Sequence, residues 1–214
     1  MTSAELIWSL VRASGLMAVL TATVSVVLGA TASLSPAPGA TRSGRDLDRR
    51  LLRQYAHRSA GVVTLAMIVL HAALIVIDSY VTVTVAGVLV PFTAGYDAIA
   101  LGIGTVAAYL FLVVAATGAL RSRISADRGQ RAWRAVHLTA YLAWGAAMLH
   151  GLMAGTDTGA WWGLLIYGGC AAAVAMAIAA RVLAAGDTRR SSLAQQRRES
   201  LAATRPSVPI GVDR

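Results

Sequence analysis

The chain has 214 residues, of which 57% are hydrophobic and 14% charged, and its formal charge is +9. A soluble domain carries about a quarter charged residues, so this composition excludes an ordinary water-soluble globule. Every basic residue is arginine, and Cys170 is the only cysteine, which excludes an intrachain disulfide and a cysteine-ligated cluster.

Five stretches are long and apolar enough to span a bilayer, which takes about 20 residues each. They are Leu6–Ala30, Tyr55–Ser79, Ile99–Leu120, Ala135–Ala154 and Trp161–Ala185. Gly and Pro cluster between them, at Pro36-Ala37-Pro38-Gly39, around Pro91 and at Gly155–Gly159. A cleaved signal peptide ending near Ala30-Thr31-Ala32 is the rival reading of the first stretch. It is disfavoured because its n-region offers only Arg12 against Glu5, and an arginine-rich segment would then be exported. The predicted fold is all-α, a membrane bundle of about five transmembrane helices over residues 1–185. Residues 186–214 read as a basic, disordered cytoplasmic tail, with room for one short helix.

Arginine placement predicts the orientation. The first connection holds Arg42, Arg45, Arg49, Arg50 and Arg53, and the third holds Arg121, Arg123, Arg128 and Arg131. The tail adds Arg189, Arg190, Arg197, Arg198 and Arg205, whereas the second and fourth connections hold no arginine. The positive-inside rule then places the N-terminus outside and the C-terminus in the cytoplasm of a cell membrane, and it makes nucleic acid an improbable partner for this charge.

The four histidines, His57, His71, His137 and His150, all fall in the second and fourth stretches, and none lies in a loop or the tail. Spacings of fourteen and thirteen residues separate each pair by about 20 Å along a helix. In a core about 30 Å thick that puts one imidazole near each face. Both stretches run in the same direction, so His57 matches His137 in depth on the cytoplasmic side, and His71 matches His150 on the outer side. Ionisable residues inside spans are functional by default. Two such pairs suit two haems, each iron held by two imidazoles and left with no open position, which favours electron relay over oxygen binding. The spacing poses one difficulty. Fourteen residues bring His71 within about 40° of His57, but thirteen put His150 about 140° round from His137. Either the haems sit at different azimuths or Gly145 lets the helix distort.

With this signature, His57-x13-His71 and His137-x12-His150 on two same-direction helices, the chain resembles the ferric reductase-like transmembrane domain family. That superfamily includes ferric reductases, NADPH oxidases and the haem-binding subunit of a bacterial methionine sulfoxide reductase. The resemblance covers roughly Trp8 to Cys170. It includes Arg12-Ala13-Ser14-Gly15, Ile77-Asp78-Ser79-Tyr80, Val90-Pro91-Phe92, Trp133-Arg134-Ala135-Val136-His137 and His150-Gly151. It implies that all four histidines ligate two haems b and that electrons pass from the cytoplasmic to the outer haem. Full ferric reductases continue into a cytoplasmic flavin and nicotinamide domain and many relatives have six spans. Here 29 residues follow the last span, without a Gly-rich phosphate fingerprint. The chain therefore reads as the membrane half of an oxidoreductase, with a cytoplasmic flavin reductase or a quinol as donor and a redox acceptor at the outer face.

Arg12 lies in the outer half of the first span, where it could meet a haem propionate or an anionic acceptor, or snorkel to the interface. Arg58 and Arg134 flank the cytoplasmic histidines as candidates for propionate pairing or as markers of the membrane boundary. Trp133, Trp161, Trp162 and Tyr80 read as interfacial anchors rather than electron stepping stones, and Cys170 as a small packing residue. The apolar connection 81–97 could lie over the outer haem or rest at the interface. The tail could bind anionic lipid or a reductase. Two other functions remain open: a quinol-linked cytochrome b of the respiratory type, whose spacing is usually fourteen on both helices, and a haem-free assembly or transport protein.

Overall fold

A computed structural model describes residues 2–32, 44–123 and 127–203. The Pro36-Ala37-Pro38-Gly39 cluster, Arg42 and the end of the tail, including Arg205-Pro206, lie outside the described residues. The elements in order are α1 (Ser3–Thr31), α2 (Gly44–Ile77), α3 (Val85–Leu89), α4 (Ala98–Ala119), a 3₁₀ turn (Leu120–Arg123), α5 (Asp127–Leu138), α6 (Ala140–Ala154) and α7 (Trp161–Ala203). The described residues contain no strand. This is the all-helical membrane bundle expected from composition.

Four helices are long and apolar enough to cross a membrane: Ser3–Thr31, Gly44–Ile77, Ala98–Arg123 and Trp161–Arg197. The predicted fourth span is split instead. The Thr139 N–H bonds the Val136 carbonyl, three residues back, at 3.0 Å, and the Thr139 hydroxyl donates to the same carbonyl at 2.6 Å. Beyond that tight turn α6 runs unbroken through Gly145 to Ala154. The distortion is thus at Thr139, whose competing hydroxyl interrupts the ladder, and not at Gly145.

Two helices outrun their predicted ends. α2 starts at Gly44, so Arg45 to Arg53 stand on a helix rather than in a loop. α7 carries on past Ala185 to Ala203, through a stretch rich in Ala, Arg, Gln and Leu, all good helix formers. Its 43 residues reach about 65 Å, twice the thickness of a bilayer core. Residues 186–203, expected to be largely disordered, are therefore helical.

α1 is the centre of the packing, set most closely against α2 and also against α7 and α6, while α4 packs on α6. A capping box between Thr2 and Glu5 starts α1. Its buried positions are Val11, Ser14, Ala18, Val19, Ala22, Thr23, Val26 and Ala30, mostly small and one helical turn apart. Small residues let helix backbones approach where lipid removes the hydrophobic drive to associate. Large side chains such as Leu10, Val62, Val69, Leu142 and Val182 point outwards and are exposed. Polar links fix the register inside: Thr64 donates to Thr21 at 3.0 Å, and the Trp144 indole donates to Thr23 at 2.9 Å. Val19, Met148, Tyr167 and Cys170 form one buried cluster, so Cys170 is a packing residue as expected.

Candidate functional site

α2 and α5–α6 stand at opposite corners of a four-helix arrangement, with α1 and α4 at the other two. Across the centre the histidines meet in the predicted combinations. The His57 and His137 ring centres are 6.1 Å apart at an interplanar angle of 69°, and those of His71 and His150 are 6.1 Å apart at 81°. The 3₁₀ step at Thr139 explains how a thirteen-residue spacing achieves this. Each residue of a tight turn rotates about 120° instead of 100°, so three of them recover about 60° of the 100° that the missing residue would have supplied.

Each histidine is backed by a helix that carries no histidine. The His71 Nδ1–H donates to the Val11 carbonyl at 2.9 Å, that of His57 to Ser25 at 2.9 Å, and that of His150 to Ala100 at 2.7 Å. A carbonyl can only accept, so in these three the proton sits on Nδ1 and the Nε2 lone pair is free. The Nε2 atoms make no hydrogen bond to the described residues. This is the usual preparation of a metal-ligating histidine. His137 is the exception: its Nδ1 is buried and makes no well-formed hydrogen bond to the described residues, only a looser contact with the Val114 backbone.

Four residues after each supporting carbonyl stands a glycine. A Cβ on Gly15 would lie 3.1 Å from the His71 ring, one on Gly29 3.2 Å from His57, and one on Gly104 2.7 Å from His150. On Gly118 it would lie 3.8 Å from His137. The sequence reading missed these glycines. The signal was there in the spacing: Gly15 to Gly29 and Gly104 to Gly118 are both fourteen apart, matching His57 to His71.

Around His71 and His150 lies a cavity of about 280 Å³, lined among others by Trp8, Arg12, Gly15, Tyr96, Gly104 and Asp157. Val81, Val83, Val88, Leu89 and Tyr96 of the connection 81–97 wall one side of it. α3 is tied to α4 by the Thr105 hydroxyl, which donates to the Val88 carbonyl at 2.9 Å, and by Tyr109 OH donating to the Leu89 carbonyl. The Phe92 ring covers Gly102, from a backbone at φ 65°, a conformation uncommon for such a residue. Asp78, buried, turns the chain there by accepting from the Tyr80 and Val81 N–H groups at 2.9 and 3.0 Å.

Of the arginines singled out, Arg12 lines this cavity and forms a two-pronged ion pair with Asp157, its Nε donating to Oδ2 at 2.7 Å. The Arg58 and Arg134 side chains are exposed, and the structure brings neither to a hydrogen bond or ion pair with a described residue. Tyr80 stacks at a tilt on Trp8, 6.1 Å between centres.

The described helices thus form a membrane bundle that carries two histidine pairs, one above the other, across its axis. The chain belongs to the family of the ferric reductase-like transmembrane component, whose model matches residues 14–148, more than half of its length. None of the curated proteins and none of the solved structures is significantly similar to it. Membership makes it a multi-pass membrane protein with a transmembrane electron-transfer role.

Proposed function

We propose that the protein is a di-haem b cytochrome, with one haem held by His57 and His137 and the other by His71 and His150. The observation that carries this is the ring separation. An imidazole nitrogen binds a first-row metal at about 2 Å, with the ring centre about 1 Å behind it, so two rings trans to one ion have centres about 6 Å apart. Both pairs stand at 6.1 Å. With one cysteine, the two thioether links of a c-type haem have no partner residues, which favours haem b.

A haem with two neutral imidazole ligands supplies one-electron exchange without an open coordination site. The residues around it do the rest. Backbone carbonyls of Val11, Ser25 and Ala100 fix tautomer and ring direction. Gly15, Gly29 and Gly104 leave room for the rings. Arg12, on the wall of the cavity around His71 and His150, offers a guanidinium to a carboxylate there, with Asp157 holding it in place. By the arginine asymmetry the His57–His137 pair lies on the cytoplasmic side. Electrons from a cytoplasmic flavin reductase or a quinol then pass outwards, to an acceptor beyond the His71–His150 pair. Detergent-purified protein should show reduced b-type bands and close to two haems per chain; a colourless, stably folded preparation after haem supplementation would refute the proposal.

A further inference from the structure

We propose that Trp133 is a positioning residue for the His137 imidazole, reinforcing a backbone contact that is looser there than the carbonyl hydrogen bonds of the other three histidines. The inference rests on the di-haem reading above and adds a residue to it.

His137 differs from its three counterparts in two independent measures. Its Nδ1 is buried and makes no well-formed hydrogen bond to the described residues. A Cβ on the facing glycine would lie 3.8 Å from its ring, against 2.7 to 3.2 Å for the others, so the ring stands further off α4, and the Val114 carbonyl there, four residues before Gly118, reaches it only in a contact short of a well-formed hydrogen bond. That looser contact holds the ring about its χ2 bond less tightly than a formed hydrogen bond does, and a ligand that turns does not hold a fixed plane.

The added restraint is aromatic. Trp133, one helical turn before His137 on α5, lies nearly parallel to the imidazole, with 5.0 Å between centres and 22° between planes. The indole is itself held from two sides. Its Nε1–H donates to the Thr117 carbonyl on α4 at 3.1 Å, and the Arg121 guanidinium sits 4.6 Å over its ring. A ring fixed by α4 and by a cation thus presents a flat face to the imidazole, and offset aromatic pairs of this kind favour a defined geometry. The arrangement also changes the ligand. An Nδ1–H bonded to a carbonyl makes an imidazole a more basic donor. His137, with the looser Val114 contact, receives less of that push, so the two haem sites are unequal in ligand basicity although alike in ligand type.

The test uses full-length protein in detergent, comparing wild type with Trp133→Leu and Trp133→Phe by haem content, electron paramagnetic resonance of the two ferric haems and redox titration. The orientation of imidazole planes sets the g-anisotropy of a low-spin ferric haem, so this readout responds to ring direction and not merely to folding. Trp133→Leu should shift the g-signal and midpoint potential of the component that His57→Ala removes, or lose that haem, leaving the other component unchanged. Trp133→Phe retains a stacking face and should keep that component closer to wild type. An unshifted component in Trp133→Leu, equal shifts of both components, or a Phe variant as disturbed as the Leu variant would overturn the proposal. Failure of the di-haem reading itself would appear separately, as wild-type protein without two haems.

Discussion

Replacing Gly104 by alanine tests the supporting helices directly. The new Cβ would meet His150 Nδ1 at 2.7 Å, Cε1 at 2.8 Å and Cγ at 2.9 Å, so the ring itself is struck. Ordinary contact begins at 3.4 Å, and the imidazole must retreat by about 0.7 Å. That retreat stretches its 2.7 Å bond to the Ala100 carbonyl, which stands on the same helix one turn earlier, past the usual limit of about 3.2 Å. Overpacking costs about 1–3 kcal/mol and the lost hydrogen bond about 1 kcal/mol, while alanine returns about 1 kcal/mol of helix propensity. The net expectation is a loss of about 1–3 kcal/mol and a disturbed or missing haem at the His71–His150 pair. Gly118→Ala meets His137 at 3.8 Å, and Gly145→Ala meets nothing within 4 Å. Both should hold both haems and gain about 0.5–1 kcal/mol. Thermal denaturation in detergent, followed by haem absorbance and component-resolved redox titration, measures each. Wild-type behaviour of Gly104→Ala, or loss of the His57–His137 component in Gly118→Ala, would refute the reasoning.

Asp157→Asn leaves the Arg12 guanidinium without its carboxylate; because the Arg12 side chain is 36% exposed, the cost is about 1 kcal/mol, and a double-mutant cycle with Arg12→Gln should return a coupling of that order. A coupling near zero would mean that the pair does not tie α1 to the α6–α7 connection. Reporter fusions after Arg45, Arg128 and Arg197 should read cytoplasmic and fusions near Gly95 and Gly159 external; one external reading at an arginine-rich site would break the orientation.

The bundle was legible because hydrophobic length and histidine placement are one-dimensional properties: five apolar stretches and matched depths led to the observed pairing of His57 with His137 and His71 with His150. What was not legible depended on competition between local and global terms. The azimuth of His150 turns on a hydroxyl at Thr139 that displaces one ladder bond, and no periodicity signals that choice over Gly145. The helicity of Arg45–Arg53 and of residues 186–203 followed from propensity, which the charge pattern masked. For Arg12 the sequence offers a propionate, an anionic acceptor or the interface, and gives no sign of Asp157, 145 residues distant, with which the fold pairs it. Trp133 reads as a belt residue from its position alone; only the looser Nδ1 contact of His137 distinguishes it.

The central claim is that two irons are each held by one histidine from α2 and one from α5–α6. Haem quantitation with component-resolved redox titration of the four single alanine variants tests it most directly. His57→Ala and His137→Ala should lose the same component, and His71→Ala and His150→Ala the other, each falling from about two haems towards about one, since losing either imidazole opens the iron. Loss of one shared component in His57→Ala and His71→Ala, or full haem content in all four variants, would contradict it.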